Sequence, residues 1–206
     1  MYGSTLVPCV VGDLPSRVIG AVHGAGRVIS AAFRVDNPRL RQRFEKAKHA
    51  LAQKKEVAGK IHVHHTMYHT TRDMAAAKSI AESGFKVGHD RNRAAFGFGV
   101  NLARDFGATI HFGAARGKTV TLVCTAAVGR SHDNPTEHPD NPITIPKYMR
   151  PRKGYDAMTG MGGYFTVISA SSRVLPMYVV IHEPEPGTRP APASPHAGAK
   201  YIFWSY

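Results

Sequence analysis

Cysteine is nearly absent. Cys9 and Cys124 are the two in 206 residues, too few for a disulfide framework or a four-thiolate zinc site. No stretch of 18 apolar residues occurs, so no membrane-spanning helix is expected. The opening MYGSTLVPCVVGDLP has no basic segment ahead of its short apolar stretch, and no secretory signal is expected either. Acidic residues are scarce as well. There are 14 Asp and Glu against 27 Lys and Arg, a formal charge of +13. The Gly-x-x-x-x-Gly-Lys-Ser/Thr phosphate loop, the nucleophile elbow, His-Glu-x-x-His and the protein-kinase set are all missing, which removes the chemistries they serve. An intracellular chain working by some other chemistry is the expectation.

What is present suits one domain with a short extension. Twenty Gly and fourteen Pro point to a loop-rich or β-rich fold. The positive charge attracts polyanions: nucleic acid, an acidic membrane, an acidic protein or a pyrophosphate ligand. Eight Lys or Arg and two Glu lie between Arg39 and Lys60, and Lys147, Arg150, Arg152 and Lys153 form a second group. A basic helix face is also the ordinary solvated surface of a basic protein.

Short β-branched runs broken by Gly and Pro over residues 1–35, such as Arg17-Val-Ile and Arg27 to Val35, read as strands or extended segments. Asn37 before Pro38 is an N-cap followed by the favoured first helical residue. Leu40, Phe44, Ala47 and Leu51 then recur at helical spacing, which predicts a helix over 38–54. Alternation over 61–69 predicts a strand with Ile61, Val63, His65, Met67 and His69 on one face. Its four histidines invite a zinc reading, yet they lack helical spacing and no Cys or carboxylate lies near them in sequence, which argues against a metal site. Asp73 reads as the cap of a helix carrying Met74, Ala77, Ile80 and Ala81 up to Gly84, with Phe85-Lys-Val87 a brief strand after it. A short helix is expected over Asp105 to His111 and a buried strand over Thr119 to Cys124. The proline-rich stretch from Ser131 to Arg152 reads as a long loop. Two further strands are expected over Tyr164–Ser169 and Val174–Ile181. Five prolines between Glu183 and Lys200 mark a flexible tail, ending in Tyr201-Ile-Phe-Trp-Ser-Tyr206.

An ordered series of weak motifs remains. Asp36-Asn-Pro-Arg-Leu40 leads into the basic helix, Tyr68-His-Thr-Thr71 ends a strand, and Gly97-Phe-Gly-Val-Asn-Leu-Ala103 follows the next helix. Thr119 to Gly129, Tyr155-Asp156 and Arg173-Val-Leu-Pro-Met-Tyr-Val179 complete the set. In this order the six resemble the catalytic domain of the poly(ADP-ribose) polymerase family, the diphtheria-toxin-like ADP-ribosyltransferases. Their counterparts there are Asn-Pro-x-Leu, Phe-His-Gly-Thr/Ser, Gly-x-Gly-x-Tyr-Phe-Ala, a strand ending in Val-Gly, a loop Asp and Gln-Val-x-Pro-x-Tyr. The resemblance spans about 27–182. It implies an α+β fold of two packed antiparallel β-sheets with flanking helices, a catalytic domain over 1–182 and a tail over 183–206.

The resemblance also implies NAD as co-substrate, with no metal. Matched position by position, His69 corresponds to the histidine that bonds a ribose hydroxyl of NAD. Thr70 stands where a glycine backbone clamps the nicotinamide carboxamide, and Thr71 completes that NAD-binding strand end. Thr109 stands where a serine hydroxyl holds the carboxamide, and Phe112 where a tyrosine ring stacks on nicotinamide, a role needing an aromatic face. Read without the family, these are a strand-end histidine, a helix threonine and a core phenylalanine.

Two catalytic positions depart from the pattern. Asn101 replaces the Tyr of the family's triad, and no Tyr occurs between Tyr68 and Tyr148. Phe165 replaces the Glu of chain-forming members, and no Asp or Glu lies between Asp156 and Glu183. An apolar residue at the latter position is familiar in mono-transferring members. The reading is a mono-ADP-ribosyltransferase acting on a protein or nucleic-acid acceptor, with RNA or DNA contact through its basic surface and no membrane partner. The alternatives are an inactive module of the same fold that binds NAD, ADP-ribose or RNA, and an unrelated basic nucleic-acid-binding β domain.

Overall fold

The computed structural model describes residues 5–54, 61–71, 73–87, 98–113, 119–133, 151–160 and 163–187, excepting the side chains of 111–113. In chain order the strands are β1 (Leu6–Cys9), β2 (Arg27–Val35), β3 (His62–Thr71), β4 (Val100–Ala103), β5 (Thr119–Val128), β6 (Ser131–Asp133), β7 (Ala157–Gly160), β8 (Phe165–Ile168) and β9 (Val174–Pro184). The helices are α1 (Ser16–Gly24), α2 (Pro38–Ala52), α3 (Met74–Ser83) and α4 (Phe106–Gly113).

The strands form one nine-stranded sheet in the order β1-β2-β9-β5-β3-β4-β8-β7-β6, which corrects the expected two packed sheets. Between its two halves the hydrogen-bonded ladder narrows to a single antiparallel pair, Tyr68 with Ala103. That one pair joins a five-stranded half (β1, β2, β9, β5, β3) to a four-stranded half (β4, β8, β7, β6). The pairing is not wholly antiparallel either, since β6 and β7 run parallel.

Strand β5 is buried along its whole length because both of its faces are covered. Leu122, Cys124, Ala126 and Val128 face a cluster completed by Met67, Phe85 and the small α3 residues Ala77 and Ala81. Val123, pointing the other way as strand geometry requires, packs with Tyr68, Phe106 of α4 and Val18 and Val22 of α1. Leu40, Phe44 and Leu51 of α2 bury against Ala127 and Leu175. The four-residue spacings within α1 and α2 put these side chains on one stripe of each helix.

Asn37 fastens two helices. Its Oδ1 accepts from Leu40 N–H at 3.1 Å, while Nδ2 donates to the carbonyl oxygens of Ala81 and Glu82, each at 2.9 Å. One side chain thus satisfies orphan groups at the start of α2 and the end of α3. Asp73 caps α3 through Ala76 N–H at 2.8 Å, and Gly84 ends it at φ +79, a conformation that costs other residues a Cβ clash.

Several expectations shift. Arg17-Val-Ile lies inside α1, not in a strand: Val18 and Val22, one turn apart, bury in the core, and that packing overrides their β propensity. Phe85 to Val87 form no strand. The Ser131–Asp133 start of the expected long loop is β6, and 134–150 lie outside the described residues. Strand β9 runs past 182, pairing Pro184 with Arg27, and Glu185 N–H bonds the Gly26 carbonyl at 3.0 Å. The rest of the expected tail, 188–206, lies outside the described residues.

Candidate functional site

The site residues gather where β3 and β4 part. A one-residue bulge brings them there: β3 pairs His64 with Ala126, but Met67 with Cys124. The extra residue reverses the faces. Ile61 therefore packs in the α2 cluster and Met67 in the α3 cluster, so the single face expected for Ile61, Val63, His65, Met67 and His69 does not exist. Beyond the bulge Met67 and His69 share a face, while Tyr68 and Thr70 turn toward α4.

His69 sits edge-on to Phe85, with ring centroids 5.0 Å apart. Its Nδ1 lies 2.8 Å from the backbone oxygen of Asn101. A carbonyl oxygen only accepts, so Nδ1 carries the hydrogen and Nε2 of the neutral ring keeps a lone pair. Burial lowers the imidazole pKa, partly opposed by the Asn101 bond, and favours that neutral form.

Thr70 turns its side chain to the opposite face. Its Oγ1 stands 2.8 Å from Thr109 Oγ1 and 2.9 Å from Thr121 Oγ1, and its N–H donates to Thr109 Oγ1 at 3.2 Å. Thr109 reaches this point because Asp105 starts α4, accepting from Ala108 N–H at 2.9 Å, and Phe106 anchors the helix in the core. Thr71 is buried and donates to the Asp73 carbonyl at 3.0 Å. Phe112 follows Thr109 by three residues in α4, and its side chain lies outside the described residues.

Asn101 and Phe165 belong to the other half. They project from adjacent strands: Asn101 pairs with Val167, and Ala103 with Phe165. Asn101 Nδ2 donates to Gly99 O at 3.5 Å, whereas its buried Oδ1 has no hydrogen-bond partner among the described residues. Phe165 is buried. Gly99 is required where it stands, because a Cβ there would lie 2.6 Å from Ile168 O and 2.7 Å from Val167 Cγ1.

The carboxylate of the matched Asp156 is committed elsewhere. It is buried and bonds Lys54 Nζ at 2.6 Å and Arg173 Nη1 at 2.9 Å, tying the end of α2 to the approach to β9. No group of three or more His, Cys, Asp or Glu able to hold a metal occurs among the described residues. No helix among them is long and apolar enough to cross a membrane.

The structure thus joins Thr70 to Thr109 on one face of β3, while His69, touched by the Asn101 backbone, and Thr71 lie on the other. Thr121 was missed. Its one sequence signal is the alternation of Thr119 and Thr121 with Val120 and Leu122, which puts hydroxyls on a single face of a buried strand.

The family model described as Poly(ADP-ribose) polymerase catalytic domain matches residues 14–148. The match includes His69, Asn101, Thr109 and Phe112 and ends before Phe165. A search of curated proteins finds no significant match. Over more than half its length, the chain belongs to the poly(ADP-ribose) polymerase catalytic-domain family, whose members are ADP-ribosyltransferases that use NAD as substrate.

Proposed function

We propose that this protein attaches single ADP-ribose units from NAD to a protein or nucleic-acid acceptor and releases nicotinamide. The observation that carries this reading is the donor pattern of His69. With Nδ1–H given to Asn101 O, Nε2 is an acceptor without a partner among the described residues, suited to a ribose hydroxyl. On the neighbouring strand position and helix, the Thr70–Thr109 pair offers polar groups for the carboxamide. Phe112, one turn further along α4, is assigned the stacking face, and Thr71 holds the strand end in place.

In the reaction the bond between nicotinamide nitrogen and ribose C1′ breaks, and its electron pair leaves with the nicotinamide. The acceptor's nucleophilic atom supplies a new pair to C1′ and loses its proton to solvent or to a base on the acceptor. Positive charge develops on the ribose, so positioning and charge dispersal govern the rate. Phe165 brings no carboxylate and Asp156 is held by two cations, which leaves the acceptor to assist. Slow transfer limited to single units follows. Helix α2 exposes Arg39, Arg41 and Lys46, and its one acid, Glu45, is paired with Lys48. That surface favours a polyanionic acceptor in an intracellular setting.

One observation favours a second reading, a binding module without catalysis: Thr70 N–H is already bonded to Thr109. Incubation with adenylate-labelled NAD, with and without RNA, followed by protein and nucleic-acid gels, separates the two. Label transferred by the wild-type protein and lost in His69→Ala supports the transferase. Saturable binding of an NAD analogue without transfer selects the module. Neither outcome, with salt-sensitive RNA binding alone, overturns both.

A further inference from the structure

A cationic and aromatic cluster sits at the outer edge of the four-stranded half, around β6, the last strand of the sheet. The Arg130 guanidinium stands 4.4 Å from the Tyr155 ring centroid, and its Nη2 donates to the Tyr155 hydroxyl at 3.3 Å. A guanidinium held to both the centre and the hydroxyl of one ring lies flat along it. His132 of β6 meets the same ring edge-on, with centroids 4.9 Å apart. Both of its nitrogens are used: Nδ1 donates to Asp133 O at 2.9 Å, and Nε2 accepts from Arg152 N–H at 3.1 Å. Arg152 opens a turn that closes when Tyr155 N–H donates to Arg152 O at 2.9 Å. Gly154, at φ +86, supplies the conformation such a turn needs at its third residue, and Lys153 stands at the tip.

The charge of the cluster is one-sided. Arg130, Arg152 and Lys153 are exposed, and over 129–133 and 151–155 the one acid is Asp133, which accepts from Thr159 Oγ1. Asp156, next in the chain, is buried and paired with Lys54 and Arg173. Its bond to Lys54 also sets the end of the basic helix α2 beside the cluster. Two exposed cations on a pinned turn suit neighbouring phosphates. Arg130 offers something different. One flat face of its guanidinium lies on Tyr155, so the face it turns to solvent is the other, a surface on which a nucleobase stacks. A carboxylate would instead seek the in-plane fork, part of which is given to the Tyr155 hydroxyl. A duplex keeps its base faces inside its own stack, whereas an unpaired strand exposes them.

We propose that this edge binds single-stranded RNA: a base stacks on Arg130, and Arg152 and Lys153 take the flanking phosphates. The bonds of His132 and Tyr155 fix the turn and the ring before RNA arrives, so little ordering is lost on binding. The cluster stands apart from the candidate site. Tyr155 leads into Ala157, which pairs with Ile168 at the far end of β8, while Gly160 pairs with Phe165. Ile168 and Phe165 are about 10 Å apart along an extended strand. The edge is thus placed to hold the body of an acceptor RNA whose end reaches the site. That use rests on the transferase reading above; the binding itself does not.

Fluorescence anisotropy of a short labelled single-stranded RNA of mixed sequence, titrated with the full chain in the absence of NAD, tests the proposal. Arg130→Lys keeps the charge and loses the plane. It should weaken binding about tenfold, as for one lost base stack, with the salt dependence unchanged. Arg152→Gln combined with Lys153→Gln removes two phosphate contacts. The slope of log affinity against log salt should then shrink by about 1.4, at roughly 0.7 per phosphate of a single strand. Unchanged affinity in folded Arg130→Lys, or an unchanged slope in the double variant, overturns the proposal. Duplex DNA or polyglutamate that competes as well as unlabelled RNA overturns it too, the latter assigning the edge to an acidic protein. Should Arg130→Lys not fold, the slope of the double variant and the two competitions decide. A protein that transfers ADP-ribose but binds RNA no differently in these variants overturns this site and keeps the transferase reading. Binding that responds as expected, in a protein that transfers nothing from NAD, does the reverse.

Discussion

The two halves of the sheet differ in how far their buried polar groups are joined to one another. In the five-stranded half, Arg27, Thr119, Thr121 and His182 are buried and joined to one another and to Thr70 and Thr109 by hydrogen bonds of 2.8–3.3 Å. In the four-stranded half, Thr159 of β7 is bonded to His132 O and Asp133 Oδ1, but Asn101 Oδ1 and Thr166 Oγ1, on adjacent strands, are buried without a partner among the described residues. The exception in the first half is Thr66 Oγ1, next to the β3 bulge where the ladder is interrupted. A satisfied network holds its donors in fixed directions. The half that would recognise NAD is organised, whereas the half that brings the family's remaining catalytic positions carries an amide and a phenyl ring.

The sharpest way to break that comparison is to remove the organised half's contact with ribose. His69→Ala should abolish detectable transfer and weaken NAD binding by roughly tenfold to a hundredfold, as for loss of a buried hydrogen bond worth about 1–3 kcal/mol. Phe165→Ala should leave NAD affinity within about threefold, allowing for a local packing loss of the usual core size. Equal effects of the two on NAD binding, in folded proteins, would erase the difference between the halves.

The buried network also leaves a signature in stability. His182 has a folded pKa of about 4 against an ordinary 6.5. Above pH 6.5 the ring is neutral in both states and titration contributes nothing. Below it the unfolded chain takes up a proton that the folded protein refuses, so stability falls until about pH 4, by roughly 3 kcal/mol. His69, lowered in the same direction by burial, adds to the fall. Denaturant melts between pH 7 and pH 4 should show this loss, and His182→Gln, which can accept from Arg27 and donate to Thr121 without titrating, should reduce it. An equally steep loss in His182→Gln would assign the effect elsewhere.

A smaller effect sharpens the description of the other half. Gly99→Ala places a methyl against Ile168 O and Val167 Cγ1, and the strain of such overpacking is typically 1–3 kcal/mol. Stability should fall by about that amount, with amide exchange accelerated in β4 and β8 before β3 and β5. Uniform acceleration across the sheet would show that the single Tyr68–Ala103 pair transmits strain as well as a full ladder does.

The sequence disclosed local features far better than long-range ones. The Asn37-Pro38 start of α2 and the Asp73 cap of α3 were legible because each rests on side chains within a few residues of the backbone they bond. Strand β3 was recognised, but its faces were misassigned, since nothing in His62 to Thr71 announces a bulge that only pairing with β5 defines. The Val18-Ile19 pair of α1 reads as extended because both residues favour strands, and the core that overrides them comes from Ala32, Val123 and Val180. The ordered motifs led to His69, Thr70 and Thr109. Arg27 and His182 stayed hidden, because a contact across 155 residues leaves no periodicity to read.

The last prediction concerns the product, where the expected effect of mutation is none. The wild-type protein should yield single ADP-ribose units on its acceptor, and Phe165→Glu should yield single units too. Extending a chain requires the ribose hydroxyl of a bound ADP-ribose to act as the nucleophile, which needs a group to take or orient its proton. In the wild type, position 165 is a buried phenyl ring on β8, and a hydroxyl desolvated against it without a partner is penalised by roughly 1–3 kcal/mol. A glutamate there would enter the same apolar surroundings, beside Ala103 on β4 and Gly160 on β7. Burial would raise its pKa and favour the neutral acid, a poor acceptor for a hydroxyl proton. Asn101, two residues before Ala103, would still present an amide in place of the ring that completes the pocket in the family. Phosphodiesterase digestion of modified acceptor, followed by mass spectrometry, checks this: terminal AMP without phosphoribosyl-AMP is the expected result for both proteins. Phosphoribosyl-AMP from Phe165→Glu alone would show that the carboxylate by itself limits elongation and that the Asn101 wall is already competent.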